Sequence, residues 1–230
     1  MNAIKINNFL DEGTLTDING FIDNTIPEDS KKSAGENIRH KKESSVYGGN
    51  QATQLWTPEL LTKLCENNPI TWTYLIPMGC QFLSYSVGQH YDTHFDQSYV
   101  EVPNENGMDG FSLMRSDLSY TIALNDNYEG GDLIINNETF RLKTNEIVIY
   151  PNGQPHSVTP VTKGERRVVV GWFHSPVADS TERELLAQLM SLTNKFTKLS
   201  SESPDCKETN ATATSIQYIY EVLQRKFITS

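Results

Sequence analysis

The sequence lacks any apolar run close to the roughly 20 residues that a membrane-spanning helix needs, and its mean hydropathy is −0.48. Its first ten residues contain one lysine and neither an apolar segment nor a small-residue cleavage site, so we expect no signal peptide. It has only three cysteines, far apart and without a CxxC pair, which argues against a disulfide framework. Together these absences predict a cytoplasmic protein of a reducing compartment that does not enter membranes.

The sequence also has little positive charge. Its 19 Lys and Arg residues stand against 29 Asp and Glu residues, for a net charge of −10. Binding of nucleic-acid phosphates needs a basic face, so this balance argues against nucleic acid as a partner. One basic cluster lies early in the chain and is diluted by acidic residues, which is typical of a solvated loop, although it could steer an acidic peptide or an RNA-bound protein. The cluster comprises Lys31, Lys32, Arg39, Lys41 and Lys42.

The chain does contain a β-rich middle flanked by helical patterns. Between about residues 71 and 174, short runs of β-branched and aromatic residues alternate with turn signals, which predicts a β-sandwich or open barrel. Before this region we expect a strand at 3–9, a helix at 14–23, a mobile loop at 27–53 and a second helix after Thr57. After it, two apolar stripes at helical spacing predict two C-terminal helices joined by a polar linker, and these stripes could pack onto the sheet or bind a partner helix.

A cluster of possible metal ligands lies in the segment HYDTHFD. If the segment is an extended strand, its alternate side chains share one face, and an imidazole and a carboxylate two residues apart can bind the same ion. A third ligand must come from elsewhere, and His156 at a strand entrance is a better candidate than His174. Two histidines and one carboxylate suit non-haem Fe(II), whereas a bare HxD pattern can also be two solvated polar residues. The side chains predicted to share the face are His90, Asp92, His94 and Asp96.

A charged residue at the start of an apolar strand marks a second candidate site. Arg166 follows His156 by ten residues and begins the run RRVVVGWF with Arg167. Burying an arginine there is costly without an anionic partner, and a dicarboxylate would supply one because guanidinium binds carboxylates in a bidentate manner. The alternative is an arginine at a turn in solvent, and since the two arginines alternate, one of them can be exposed while the other is buried.

These segments resemble the Fe(II)/2-oxoglutarate-dependent dioxygenases, specifically the PKHD-type hydroxylases related to prolyl 4-hydroxylases. The resemblance covers about residues 70–195 and rests on QFLSYSVGQHYDTHFD, the YEGGDL turn, HSVTPVT and the arginine ten residues later. It implies a mainly β protein with flanking helices (α+β) and a double-stranded β-helix (jelly-roll) core. On this basis we expect a single domain, with helical and loop support at 1–70, the core at 71–177 and a helical pair at 178–230.

The resemblance also implies roles for particular residues. His94, Asp96 and His156 match the family's iron ligands, which are also its catalytic centre. Arg166 matches the residue that binds the distal carboxylate of 2-oxoglutarate, and Tyr85 matches a tyrosine of the co-substrate pocket. The cofactors implied are Fe(II), with 2-oxoglutarate and O2 as co-substrates and ascorbate as reductant.

The function implied is hydroxylation of a C–H bond, with release of succinate and CO2, on a prolyl-type residue of a protein or peptide. Arg115 and Trp172 are candidate walls of the substrate cleft, although surface charge and sheet packing explain them equally well. His90 and Asp92 depart from the family pattern and are expected at the pocket rim, and the loops at 27–53 and 97–114 are expected to cover the site. Two alternatives stay open: the same chemistry on a free amino acid or small metabolite, and a non-catalytic jelly-roll module that binds a metal or ligand.

Overall fold

A computed structural model describes residues 3–33, 39–49, 75–103, 111–202 and 206–228 of the chain. These residues fall into two compact units: a β-rich unit with the described residues from 3 to 174 except Leu75, and a helical unit with Leu75 and the residues from Ser175 onward. The helix expected after Thr57 lies outside the described residues.

The described residues of the β unit form one α-helix, two 3₁₀ turns and fifteen short strands. The helix α1 spans Glu12–Asn24, and the 3₁₀ turns span Ser30–Ser33 and Arg39–Lys41. The strands are β1 Ile4–Ile6, β2 Glu28–Asp29, β3 Ser45–Tyr47, β4 Ile76–Tyr85, β5 Tyr91–His94, β6 Tyr99–Pro103, β7 Phe111–Arg115, β8 Leu118–Ala123, β9 Glu129–Gly130, β10 Leu133–Ile135, β11 Glu138–Phe140, β12 Ile147–Pro151, β13 His156–Val158, β14 Val161–Lys163 and β15 Arg166–His174.

The strands form two main antiparallel sheets. The larger has the order β1-β12-β8-β15-β4-β3-β2, and the smaller has the order β11-β10-β13-β5. Two-stranded ribbons, β14-β9 and β6-β7, complete the unit. Side chains of both sheets meet in one apolar core, which confirms the predicted jelly-roll architecture. Core residues include Val46, Leu83, Tyr85, Tyr91, Leu133, Ile135, Val148, Tyr150, Val158 and Val168.

The N-terminal helix covers the outer face of the larger sheet. Asp11 caps it by accepting a 2.9 Å hydrogen bond from the Thr14 amide, and Ile18 and Ile22 on its inner stripe are buried. Phe21 meets Phe82 of β4 in an edge-to-face contact with ring centroids 5.5 Å apart. With α1 on this face, the centre of the larger sheet is buried on both sides, and every residue of β8 is buried.

The segment at 27–53 is more ordered than its polar composition predicts, so the expectation of a mobile loop was wrong for its described residues. Strand β3 pairs with β4, with Val46 opposite Leu83, and β2 pairs with β3. Val46 and Tyr47 are both buried, and this burial stabilises the strand between β4 and β2. Two apolar residues among many polar ones are too weak a pattern to predict a strand.

The second predicted loop, at 97–114, contains the β6-β7 ribbon. Tyr99 lies opposite Arg115, and Val100 lies opposite Met114. Cross-strand partners share a face, so Val100 and Met114 project from one side of the ribbon, and Tyr99 and Arg115 project from the other. Residues 104–110 lie outside the description.

The described residues of the helical unit from Ser175 onward form two helices, as predicted. Helix α2 spans Ser180–Glu202 and α3 spans Lys207–Phe227, so both extend into the segment expected to be a linker. They pack around Val177, Leu186 and Tyr220. None of the helices in the described part of the chain combines the length and apolar character needed to cross a bilayer.

Candidate active site

An irregularity in β5 positions the first candidate ligand. His94 pairs with His156 of β13, but the next pairing joins Tyr91 to Val158, so β5 has one more residue than its partner between the two pairs. This bulge turns Tyr91 and His94 to the interior and leaves the Asp92 side chain 62% exposed. The prediction that alternate residues from 90 to 96 share one face was therefore wrong, because alternation assumes a regular strand.

The structure brings His94, Asp96 and His156 together. One ligand atom from each lies within 4.8 Å of the others. Asp96 Oδ1 is 3.9 Å from His94 Nε2 and 3.6 Å from His156 Nε2, and the two imidazole centroids are 4.2 Å apart. The described residues contain no other group of three or more potential ligands at this spacing. His94 and His156 are 4% and 6% exposed, so the cluster is largely shielded from water.

Backbone contacts orient both imidazoles. Nδ1 of His94 lies 2.8 Å from the Asp92 carbonyl oxygen, and Nδ1 of His156 lies 3.0 Å from the Gln154 carbonyl oxygen. When Nδ1 donates its hydrogen to a carbonyl, the lone pair is on Nε2, which in both rings is the atom beside Asp96. Both histidines are thus held in the tautomer that a metal ligand requires.

The carboxylate of Asp96 is oriented in the same way. Its Oδ2 accepts hydrogen bonds from Ser119 Oγ at 2.7 Å and Trp172 Nε1 at 3.0 Å, while Oδ1 faces the histidines. Trp172, predicted as a substrate-cleft wall, lies on the cavity described below and also positions this acid. Ser119 was not predicted as a site residue, and the sequence feature that indicates it is a hydroxyl within the largely apolar strand β8.

The pKa values of the three groups reflect burial and mutual charge. Burial, reinforced by the neighbouring His156, lowers the pKa of His94 to about 4. Burial alone would lower the pKa of His156, but the adjacent Asp96 carboxylate more than offsets it, so the pKa is raised. Burial would raise the pKa of Asp96, yet the His156, Ser119 and Trp172 contacts bring it to about 2. The cluster thus presents an ionised carboxylate and a neutral His94 near neutral pH.

Arg166 and Tyr85 lie directly opposite each other on β15 and β4. The guanidinium carbon of Arg166 is 5.1 Å from the Tyr85 ring centroid. Both side chains are buried, and burial raises the pKa of the Tyr85 hydroxyl. The next residue, Arg167, points to the other face and pairs with Asp23 of α1 at 2.7 Å and with Glu165 at 2.8 Å. The alternation of a buried and a more exposed arginine is therefore confirmed.

The buried Arg166 lacks a counter-ion among the described residues. It is 3% exposed, its Nε has no hydrogen-bond partner, and no described carboxylate lies within ion-pairing distance. Such a charge is costly to bury unless a ligand supplies the anion. Gly131 makes room for it, since a Cβ there would lie 3.0 Å from Arg166 Cδ, and the glycine also adopts a positive φ of +65°.

The metal-ligand cluster and Arg166 line one cavity of about 230 Å³ between the two sheets. Three ligand atoms in the same cavity as a buried guanidinium that lacks a described counter-ion fit a divalent metal together with a carboxylate-bearing ligand. The cavity walls carry apolar and aromatic side chains, which favour exclusion of water. They include Leu83, Tyr85, Tyr91, Val100, Leu133, Tyr150, Val158 and Trp172.

Lys42 also lines this cavity, and sequence analysis placed it in a solvated loop. It is 5% exposed and forms an isolated β-bridge with Tyr91, so that interpretation was wrong for this member of the basic cluster. Burial lowers the pKa of Lys42 to about 8, and the Asp96 charge opposes the decrease. Nothing in the local sequence separates it from Lys41, because its burial depends on the neighbouring strand.

Arg115 and His174 are not among the described residues that line the cavity. Arg115 Nε pairs with Asp117 Oδ1 at 2.9 Å, and His174 Nδ1 lies 2.9 Å from the Arg115 carbonyl oxygen and 3.3 Å from Asp117 Oδ2. His90 is partly exposed, with Nδ1 3.7 Å from Glu43 Oε2 and Nε2 3.5 Å from Asp92 Oδ1.

Comparison with known proteins agrees with this geometry. The sequence pattern of the 2OG-Fe(II) oxygenase superfamily matches residues 80–174, which include the cluster and Arg166. A PKHD-type hydroxylase of Prochlorococcus marinus is 31% identical over 188 residues, covering 77% of this chain and 80% of the relative. Another, from Hyphomonas neptunium, is 30% identical over 198 residues, covering 82% of this chain and 85% of the relative.

A solved structure shows the same fold. The crystal structure of a 2OG-Fe(II) oxygenase family oxidoreductase from Burkholderia pseudomallei superposes with a TM-score of 0.53 at 13% identity, over 75% of this chain and 85% of that one. The fold, the sequence pattern and the relatives thus agree, which favours an enzyme over a non-catalytic jelly-roll module. The chain belongs to the PKHD-type hydroxylases of the 2OG-Fe(II) oxygenase superfamily, oxygenases that use Fe(II), 2-oxoglutarate and O2.

Proposed function

We propose that this oxygenase hydroxylates a C–H bond in a prolyl-type residue of a protein or peptide and converts 2-oxoglutarate to succinate and CO2. The observation that carries the proposal is the buried Arg166 guanidinium. It lacks a described counter-ion and shares a cavity with three convergent metal-ligand atoms. A metal with a purely structural role does not require a nearby buried guanidinium, whereas a dicarboxylate co-substrate needs a cation to bind its distal carboxylate.

In this proposal His94, Asp96 and His156 hold Fe(II), and Arg166 with Tyr85 holds the distal carboxylate of 2-oxoglutarate. When bound, Fe(II) supplies the activation of O2 that the side chains cannot provide. The chain's own groups keep the ligands in place. The carbonyls of residues 92 and 154 orient the imidazoles, and Ser119 and Trp172 orient the carboxylate. Ascorbate would act as the external reductant.

The size of the cavity favours a residue of a larger molecule as substrate. At about 230 Å³ it is below the roughly 300–1,000 Å³ typical of complete small-molecule sites. Once the co-substrate is inside, there is space for little more than one side chain, so the remainder of the substrate must lie on the surface. Phe95, between the ligands His94 and Asp96 in the sequence, is 59% exposed and gives the surface beside the ligands an apolar side chain.

Two measurements test the proposal in order. Purified protein with Fe(II), ascorbate and 2-oxoglutarate should form succinate, and omission of Fe(II) should abolish it. Mass spectrometry of proline-containing peptides incubated with the complete mixture should then show a gain of one oxygen on proline. Oxygen gain on free amino acids, but on no peptide, would show that the substrate is a small metabolite and would overturn the substrate assignment.

A further inference from the structure

Lys42 is a second buried cation in the active-site cavity. It follows the 3₁₀ turn Arg39–Lys41, and its bridge to Tyr91 joins this part of the chain to β5. With 5% exposure, it brings an ammonium group into a cavity that already contains Arg166. The proposed function gives Lys42 no role in binding the metal or the co-substrate.

The two cations lie against different walls of the cavity. Nζ of Lys42 is 5.5 Å from the ring centroid of Tyr91, and that ring stacks on His94 with centroids 3.5 Å apart. The Arg166 guanidinium instead lies over Tyr85. The charge of Lys42 also acts on His94, whose pKa it lowers further. Lys42 is therefore on the metal-ligand side, and Arg166 is on the side of the strand pair β4 and β15.

The charge of the co-substrate matches this arrangement. 2-Oxoglutarate has one carboxylate at its distal end and a second next to the keto group. In the proposed function the end with the keto group lies at the metal-ligand cluster. The charge of Asp96 also acts on Lys42, which puts the ammonium group near the ligand set. A buried ammonium beside the ligand set is therefore well placed to receive the carboxylate of an incoming ligand.

We propose that Lys42 is a second co-substrate-binding residue, which holds the carboxylate next to the keto group while Arg166 holds the distal one. This inference rests on the proposed function, since it takes 2-oxoglutarate to bind in this cavity. Lys42 would fix the orientation of the keto acid at the ligand set, so that the distal carboxylate can reach Arg166. It is a binding and positioning residue and takes no part in proton transfer.

Two keto acids separate the roles of the cations. 2-Oxoglutarate has both carboxylates, whereas 2-oxopentanoate has the same chain length and keeps only the one next to the keto group. Binding of each is measured by calorimetry on protein loaded with Mn(II), which replaces Fe(II) without turnover. Lys42→Met should weaken both ligands by the same factor, about tenfold or more for one charge-assisted contact. Lys42→Arg, which keeps the charge, should stay within about threefold of wild type.

Controls separate binding from folding. Lys163→Met removes an exposed lysine that pairs with Glu129 at 2.9 Å, and it should leave both dissociation constants unchanged. If Lys42→Met does not fold, Lys42→Gln takes its place, because it keeps a polar side chain but not the charge, and the same loss is expected.

The outcomes distinguish this inference from the proposed function. Unchanged binding of both keto acids by a folded, uncharged Lys42 variant would overturn the inference. Loss of 2-oxoglutarate binding alone would also overturn it, because Lys42 would then act on the distal carboxylate. If wild-type protein loaded with Mn(II) bound no 2-oxoglutarate at all, the proposed function itself would fail.

Discussion

Replacement of Arg166 by methionine tests the co-substrate site, and neighbouring Arg167 provides a matched control. The two arginines are consecutive in β15 and face opposite sides of the larger sheet. Arg166 is buried without a described counter-ion, whereas Arg167 pairs with Asp23 and Glu165. Methionine preserves an unbranched apolar stem in both variants, so the main change is loss of the guanidinium.

The structure predicts opposite effects for the two variants. A hydrogen bond to a charged group contributes about 1.5–3 kcal/mol, which corresponds to roughly 10–150-fold in a dissociation constant. Arg166→Met should therefore weaken 2-oxoglutarate by about that factor and change metal affinity less than about twofold. Its Tm should stay the same or rise, because an unpaired buried charge has been removed. Arg167→Met should bind 2-oxoglutarate normally but lose up to about 1 kcal/mol of stability, since its ion pairs are partly exposed.

Calorimetric titration of 2-oxoglutarate into Mn(II)-loaded protein gives the affinities, and thermal unfolding of the metal-free variants gives the stabilities. Unaltered 2-oxoglutarate affinity in Arg166→Met would refute the assignment of the distal carboxylate. An equal loss in Arg167→Met would show that the effect comes from general disturbance of β15 rather than from a contact with the ligand.

Three further predictions concern the metal cluster and the sheet. His156→Ala should reduce Mn(II) affinity by more than the roughly 10–100-fold typical of outer-shell changes, while His174→Ala should leave it within about twofold, as measured by calorimetry. Trp172→Phe removes one hydrogen bond to the carboxylate ligand and should weaken Mn(II) by about 10–100-fold in the same assay, and unchanged affinity would argue that Trp172 only lines the cavity. Gly171→Ala places a Cβ 2.4 Å from a tyrosine ring carbon of β8 and should destabilise the fold by about 1–3 kcal/mol in urea unfolding, whereas Gly153→Ala, with no atom within 4 Å of its added Cβ, should be nearly neutral.

Much of the candidate site can be inferred from local sequence signals. The His94–Asp96 pair is visible as a short pattern in an extended segment. His156 begins the strand that follows a turn, and Arg166 is a charge at the start of an apolar run. Each of these patterns lies within one strand or at its end, so it can be recognised without knowing which strands pair with each other. The structure places all four around one cavity.

The remaining features depend on contacts between strands that are distant in sequence. The bulge in β5 turns Asp92 outward. It is defined by the pairing with β13, which has one residue fewer than β5 between the His94–His156 and Tyr91–Val158 pairs. Lys42 is buried because it bridges to Tyr91, and Val46 forms a strand because β4 offers an edge. A polar segment such as 27–53 has no periodicity that reveals these partners, so composition alone favours a loop.

We propose that one carboxylate and two imidazoles hold the Fe(II) on which 2-oxoglutarate turnover depends. The most direct measurement is Fe(II)-dependent formation of succinate by wild type and by Asp96→Asn, with Mn(II) binding measured on both. Asparagine can still accept the hydrogen bonds from Ser119 and Trp172 but has no charge. We expect Fe(II)-dependent succinate from wild type, and from the variant neither turnover nor wild-type metal affinity. Equal turnover by both proteins would contradict the claim.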